Sequence, residues 1–144
     1  LGMIELAVAF KESAAPAGIR VEIKKHPADA FWSEVFMQYP FVIIFWGPRP
    51  NPDNILTQAF HSGSGWNANR YYNDTLDALI ERARGETQEQ QKETYGEIQR
   101  ILVDDVPGII IANPLLYIGA RNHVQDAGPH PTRSKTMRNA WLEK

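Results

Sequence analysis

The residue types able to do chemistry in this chain are few and scattered. His26, His61, His123 and His130 stand in separate segments, with neither an i, i+4 pair nor a metal-ligand spacing among them, so their pattern points away from a metal centre. The absence of cysteine excludes disulfides, thiolate nucleophiles and cysteine-ligated metals. Ser62-Gly63-Ser64-Gly65 lacks the strand-turn-helix context of a nucleophile elbow. Its glycines would cradle a phosphate only if a helix began directly after them, whereas Trp66-Asn67-Ala68-Asn69 reads as loop. Asp77, Glu81, Glu86, Glu89, Glu93 and Glu97 fall on the expected exposed faces of two helices, and Glu93 with Glu97 is a like-charge pair rather than a catalytic dyad. No nucleophile, base and metal set assembles. The expectation is a protein without catalysis and without a cofactor.

Binding chemistry is a different matter. Phe41 to Trp46 is a run of six apolar residues rich in β-branched and aromatic types, which predicts a short strand buried on both faces. It stops at Gly47, and Pro48, Pro50 and Pro52 leave the following loop few conformations. Ligands of open α/β sheets sit at the carboxyl ends of the strands, so Trp46, Gly47, Arg49 and Asn51 form one candidate binding loop. Trp66 and Asn67 form a second, because an indole beside a side-chain amide can stack on and orient a polar ligand. Both loops also fit a plainer reading, an ordinary connection and a tryptophan covering the core.

The elements that would position these loops follow from periodicity. Ile4 to Ala15 predicts a helix stopped by Pro16 and Gly18. Ile19 to Lys24 alternates strictly and predicts a half-buried strand. Asp29 to Gln38, with Phe31, Trp32, Val35 and Phe36, predicts a helix leading into the Phe41 strand, and the three elements together a right-handed βαβ unit. Asn51 and Pro52 open a short helix with Ile55, Leu56, Ala59 and Phe60 on its apolar face. His61 to Asn73 is loop. Asn73 or Asp74 caps a helix to Arg84, with Gly85 as its C′ residue. Thr87 and Gln90 match a capping box that opens a longer helix to Asp105, burying Tyr95, Ile98, Leu102 and Val106. Ile109 to Ala112 predicts a further strand, with Leu115 to Ile118 continuing it. Gln125 to Thr136 reads as an exposed connection, and Met137 to Lys144 as a last amphipathic turn or two.

At 144 residues the chain suits one domain with a real core, and its 43% hydrophobic and 22% charged content is that of a globular protein. A net charge of -2 without a basic cluster argues against a nucleic-acid surface. No apolar run is long enough to span a bilayer, and no signal peptide is visible. The start at Leu1, inside an expected helix, suggests a piece of a longer protein.

The order of these features resembles the C-terminal part of the family 5 extracellular solute-binding proteins, the dipeptide and oligopeptide receptors of ABC importers. The resemblance rests on Gly18-Ile19-x-Val21-x-Ile23, Phe45-Trp46-Gly47, Asn51-Pro52-Asp53-Asn54, Phe60-x-Ser62-Gly63, Tyr72-Asn73-x-x-x-Asp77-x-Leu79-Ile80-x-x-Ala83-Arg84, Tyr95-x-x-Ile98-Gln99-Arg100-Ile101-Leu102 and Asp104-x-Val106-Pro107. It covers about Ala7 to Val124. It implies an α/β lobe fragment of a type II periplasmic-binding-protein-like fold, with a mixed sheet and flanking helices. Residues 1–124 would form the C-terminal lobe and residues 125–144 a tail returning toward the missing lobe. It further implies peptide capture by two-lobe closure, a membrane permease as partner, a periplasmic or extracellular location, no nucleic acid, and ligand contacts from Trp46, Gly47, Arg49, Asn51, Trp66 and Asn67. Peptide-binding members usually carry an Asp shortly after the strand-end Trp. Here Pro48, Arg49 and Pro50 occupy those positions, and a guanidinium there favours an anionic ligand instead. Arg49 equally fits exposure to solvent or pairing with an acid of the missing lobe. The rival from another class is a stand-alone small α/β enzyme or interaction domain using the same crevice.

Overall fold

The computed structural model describes residues 2–111, 119–128 and 137–143. The chain divides into two compact units, Leu1–Phe45 and Trp46–Lys144. The apolar run from Phe41 to Trp46 thus ends one unit and begins the other.

In the first unit, α1 spans Met3–Ala14 and tightens into a 3-10 turn at Ala15–Ala17. Pro16 cannot continue an α-helix from within, and Gly18 closes the turn at φ +78, a left-handed conformation that needs no Cβ. The Gly18 N–H donates to the Ala15 carbonyl at 2.9 Å and the Ile19 N–H to the Ala14 carbonyl at 3.2 Å. The helix expected over Asp29–Gln38 is shortened to one π-helical turn, Phe31–Val35. Its widened ring is closed by the Phe36 N–H on the Phe31 carbonyl at 2.8 Å. Phe31, Trp32 and Phe36 pack edge-on or tilted at centroid distances of 5.1 to 6.2 Å. Phe36 then leaves helical geometry at ψ 126 and Met37 turns left-handed at φ 59, so the helix cannot propagate.

Neither Ile19–Lys24 nor Phe41–Trp46 forms a strand, and the expected βαβ unit is not built. Alternation states which face a segment would bury once paired. A ladder also needs a partner strand, and none of the described residues hydrogen-bonds alongside these segments. The same holds for Ile109–Ile111; Ala112 and the continuation at 115–118 lie outside the described residues.

The second unit is built on helices. α2 is Pro52–Ala59, α3 is Asp74–Arg84 and α4 is Gln88–Asp105. Each start matches its sequence signal. The Asn51 Oδ1 accepts the Asn54 N–H at 3.1 Å, with Pro52 at the first helical position. The Asn73 Oδ1 accepts the Leu76 N–H at 3.0 Å. The Gln90 Oε1 accepts the Thr87 N–H at 3.0 Å, as a capping box requires. α3 ends at Gly85 in right-handed geometry, φ −92, so this glycine is the C-cap itself and its freedom is not used.

α3 and α4 form a helical hairpin. Leu56, Leu76, Leu79, Ile80 and Ile98 make its buried core, flanked by Phe60, Tyr71, Tyr95, Ile101 and Leu102. Polar groups close the hairpin seam. Arg82 donates to the buried Thr94 hydroxyl at 2.8 Å and pairs with Glu86 at 3.0 Å, and the Gln91 amide donates to the Ala83 carbonyl at 2.7 Å. Val106 was expected in the buried stripe but is exposed at φ 46. Pro107 bars its predecessor from α geometry, so the stripe ends one turn early. In place of a terminal helical turn, Trp141–Leu142 (β2) pairs antiparallel with Val124–Gln125 (β1), Val124 opposite Leu142. The helices with this small sheet are compatible with an α/β fragment.

Candidate functional site

The loop between α2 and α3 is held by its own short polar side chains. The Ser62 N–H donates to Asp77 Oδ1 at 2.9 Å, and the Ser64 hydroxyl donates to the Gln58 carbonyl at 2.7 Å. Asn67 is 3% exposed. Its amide nitrogen donates to the Tyr71 carbonyl at 2.7 Å and its oxygen accepts the Tyr71 N–H at 3.3 Å. Such side-chain-to-backbone bonds replace a ladder where the chain is too irregular for one. Further on, the Tyr71 hydroxyl donates to Asp105, and the Asn73 amide donates to that hydroxyl at 2.7 Å, which ties the loop to the end of α4. Burial pushes the Tyr71 phenol up from its ordinary value, and the bond to Asp105 pushes it further.

The first candidate loop folds back on α2. Arg49 donates to Gln58 Oε1 through Nε at 3.1 Å and Nη2 at 2.8 Å, and through Nη1 to the Gly47 carbonyl at 3.2 Å. Its guanidinium carbon lies 5.8 Å from the Trp46 ring centroid, a cation–π distance. All these partners are neutral.

An open groove of about 650 Å³ runs along α2 and α3. Asn54, Gln58 and His61 line it at i, i+4 and i+7, one stripe of α2 and the turn after it. Arg49 enters from the preceding loop, and Glu81 and Arg84 from α3. Arg84 bonds Asp53 at 2.9 Å and the Thr57 hydroxyl at 2.6 Å, while Glu81 lies 3.3 Å from His61 Nε2. The end of α3 therefore meets the start of α2, and the two helices run antiparallel. His61 Nδ1 accepts the Gly63 N–H at 3.0 Å, which assigns the ring proton of the neutral imidazole to Nε2, facing Glu81.

Of the six residues singled out by sequence, Trp46, Gly47 and Arg49 come together, and Arg49 reaches the groove. Asn51 caps α2, Asn67 is buried within its loop, and Trp66 is 45% exposed and is not among the residues that line the groove. Sequence reasoning missed Gln58, His61, Glu81 and Arg84. The signal present was a polar stripe at helical spacing, which is indistinguishable from any solvated face until a second element packs beside it. Among the described residues, no three His, Asp or Glu side chains are placed to hold a metal, and no helix is long and apolar enough to cross a membrane.

The chain is similar to Di/tripeptide-binding protein 2 of Pseudomonas aeruginosa (strain UCBPP-PA14), 26% identical over 148 residues. The similarity covers 96% of this chain and 27% of that protein, so the chain spans about a quarter of the relative it matches. No family model matches the chain, and no solved structure matches it.

Proposed function

We propose that this chain is the C-terminal lobe portion of a peptide-capturing solute-binding protein of an ABC importer, acting without catalysis in the periplasm or outside the cell. The supporting observation is the similarity, along nearly the whole chain, to a protein named for binding di- and tripeptides. Capture would proceed by closure of two lobes over the ligand, and closure would report occupancy to a membrane permease. The side chains of Arg49, Gln58, His61 and Glu81 along the α2–α3 groove offer hydrogen-bonding groups to a polar solute.

A ligand carrying an anionic group is the second reading of the ligand, because Arg49 contacts only neutral acceptors and keeps its charge available. Calorimetric titration of the complete protein with free dipeptides, N-blocked peptides and non-peptide anions separates these readings. Free peptides are expected to bind. Binding of non-peptide anions alone would replace the peptide reading with the anion one, and binding of neither would remove both.

A further inference from the structure

We infer that the start of the loop joining α2 to α3 is a pH-operated edge of the groove: on taking up a second ring proton, His61 releases the Gly63 backbone N–H and turns to the carboxylates of α3. The inference is independent of the peptide reading above. His61, Gly63 and Ser64 all line the groove, so the change falls on a surface that a solute would meet.

The His61 ring has a different use for Nδ1 in each of its charge states. In the neutral ring Nδ1 is an acceptor, and the Gly63 N–H reaches it at 3.0 Å while Nε2 lies 3.3 Å from Glu81 Oε1. In the charged ring both nitrogens carry protons, and Nδ1 can no longer accept. Two donors would then face each other across that 3.0 Å contact, so the Gly63 N–H must leave. The carboxylate nearest to hand for Nδ1–H is Asp77, whose Oδ1 lies 3.9 Å away. Asp77 Oδ1 also accepts the Ser62 N–H at 2.9 Å, so ring and loop backbone converge on one oxygen. Glu81 accepts from Nε2–H in either state and acts as the pivot. Asp77 and Glu81 are the charged groups that α3 turns to the ring, so the charged form has an anionic partner for each nitrogen. Of the other charged residues lining the groove, Arg84 and Asp53 pair with each other at 2.9 Å, and Arg49 is bound to Gln58. The side chains of His61 and Asp77 are only 21% and 18% exposed, which limits how far water can stand in for the lost bond.

The test is an NMR titration of the full chain from about pH 8 to about pH 5.5, the span in which histidine changes charge. The imidazole nitrogen shifts should show Nδ1 unprotonated and Nε2 protonated at the alkaline end, and both protonated at the acid end. The Gly63 amide proton should move upfield as its acceptor is lost, along the same curve as the His61 ring. In His61→Phe the Gly63 amide should no longer respond to pH across this span. A Gly63 amide that stays fixed while the ring titrates overturns the inference. So does a neutral ring protonated on Nδ1, or a ring that keeps one charge state throughout. The wild-type spectra decide the matter even if His61→Phe disturbs the loop, and a response that survives in a folded His61→Phe chain also overturns it.

Discussion

Tyr71 and Tyr95 show how single side chains set a measurable property of the second unit. Burial is the main cause raising both phenols, with Asp105 adding to Tyr71, and Asp53 and Glu86 adding to Tyr95. A raised phenol means that the folded state holds its proton more tightly than the unfolded chain. Stability is therefore complete below the ordinary tyrosine value of about 10 and declines as pH rises through and above it. A urea midpoint measured between pH 8 and 11 should fall at the alkaline end, and Tyr71→Phe should flatten that fall. An unchanged alkaline slope in the variant would show that Tyr71 is not the titrating group. Asn67 carries a related lesson. Its residue type suggested a ligand contact, yet its position in a turn that must satisfy the Tyr71 backbone makes it a buried support of the loop.

Helix starts were readable because they are local. Asn51, Asn73 and the Thr87–Gln90 pair each bond a backbone group within three residues, so the sequence alone contains both partners. Asn51→Ala should cost about 1 kcal/mol of stability, seen as a lower urea midpoint, while Asn51→Asp should retain most of it. An Asn51→Ala variant of undiminished stability would mean that Pro52 and Asp53 suffice to start α2. The strands of the first half were less legible for the converse reason. Ile19–Lys24 and Phe41–Trp46 have strand-like patterns, but the partner a ladder needs is a long-range matter that no window of residues contains. The π-helical turn at Phe31–Val35 was hidden differently. Phe31, Trp32, Val35 and Phe36 fit a helix on paper, whereas in the structure the three rings pack around a wider turn.

At the scale of the chain, the division at Phe45 and Trp46 separates two unequal units. The second contains the core cluster of Leu56, Leu76, Leu79, Ile80 and Ile98, the helical hairpin and the groove. In the first, the buried hydrophobic residues among those described are Ala14, Val35 and Phe36. Residues 46–144 expressed alone should keep a cooperative unfolding transition and helical circular dichroism, whereas residues 1–45 alone should melt without a cooperative transition. Loss of cooperativity in the 46–144 piece would show that its core depends on the first unit. The apolar surface of Ile109, Ile110 and Ile111 is exposed on the second unit, each of them near half exposed or more.

By itself, the sequence determined the four α-helices, the N-caps of α2, α3 and α4, and the resemblance that led to peptide binding as the expected function. Those features depend on residues within one or two turns of one another, or on their order along the chain. Tertiary structure decided the rest. It gave Ile19–Lys24 and Phe41–Trp46 no strand geometry, turned Asn67 inward, closed Arg49 onto Gln58 and brought Glu81 to the same groove. Each of these depends on which distant residue becomes a neighbour, and spacing along a single chain carries no record of that.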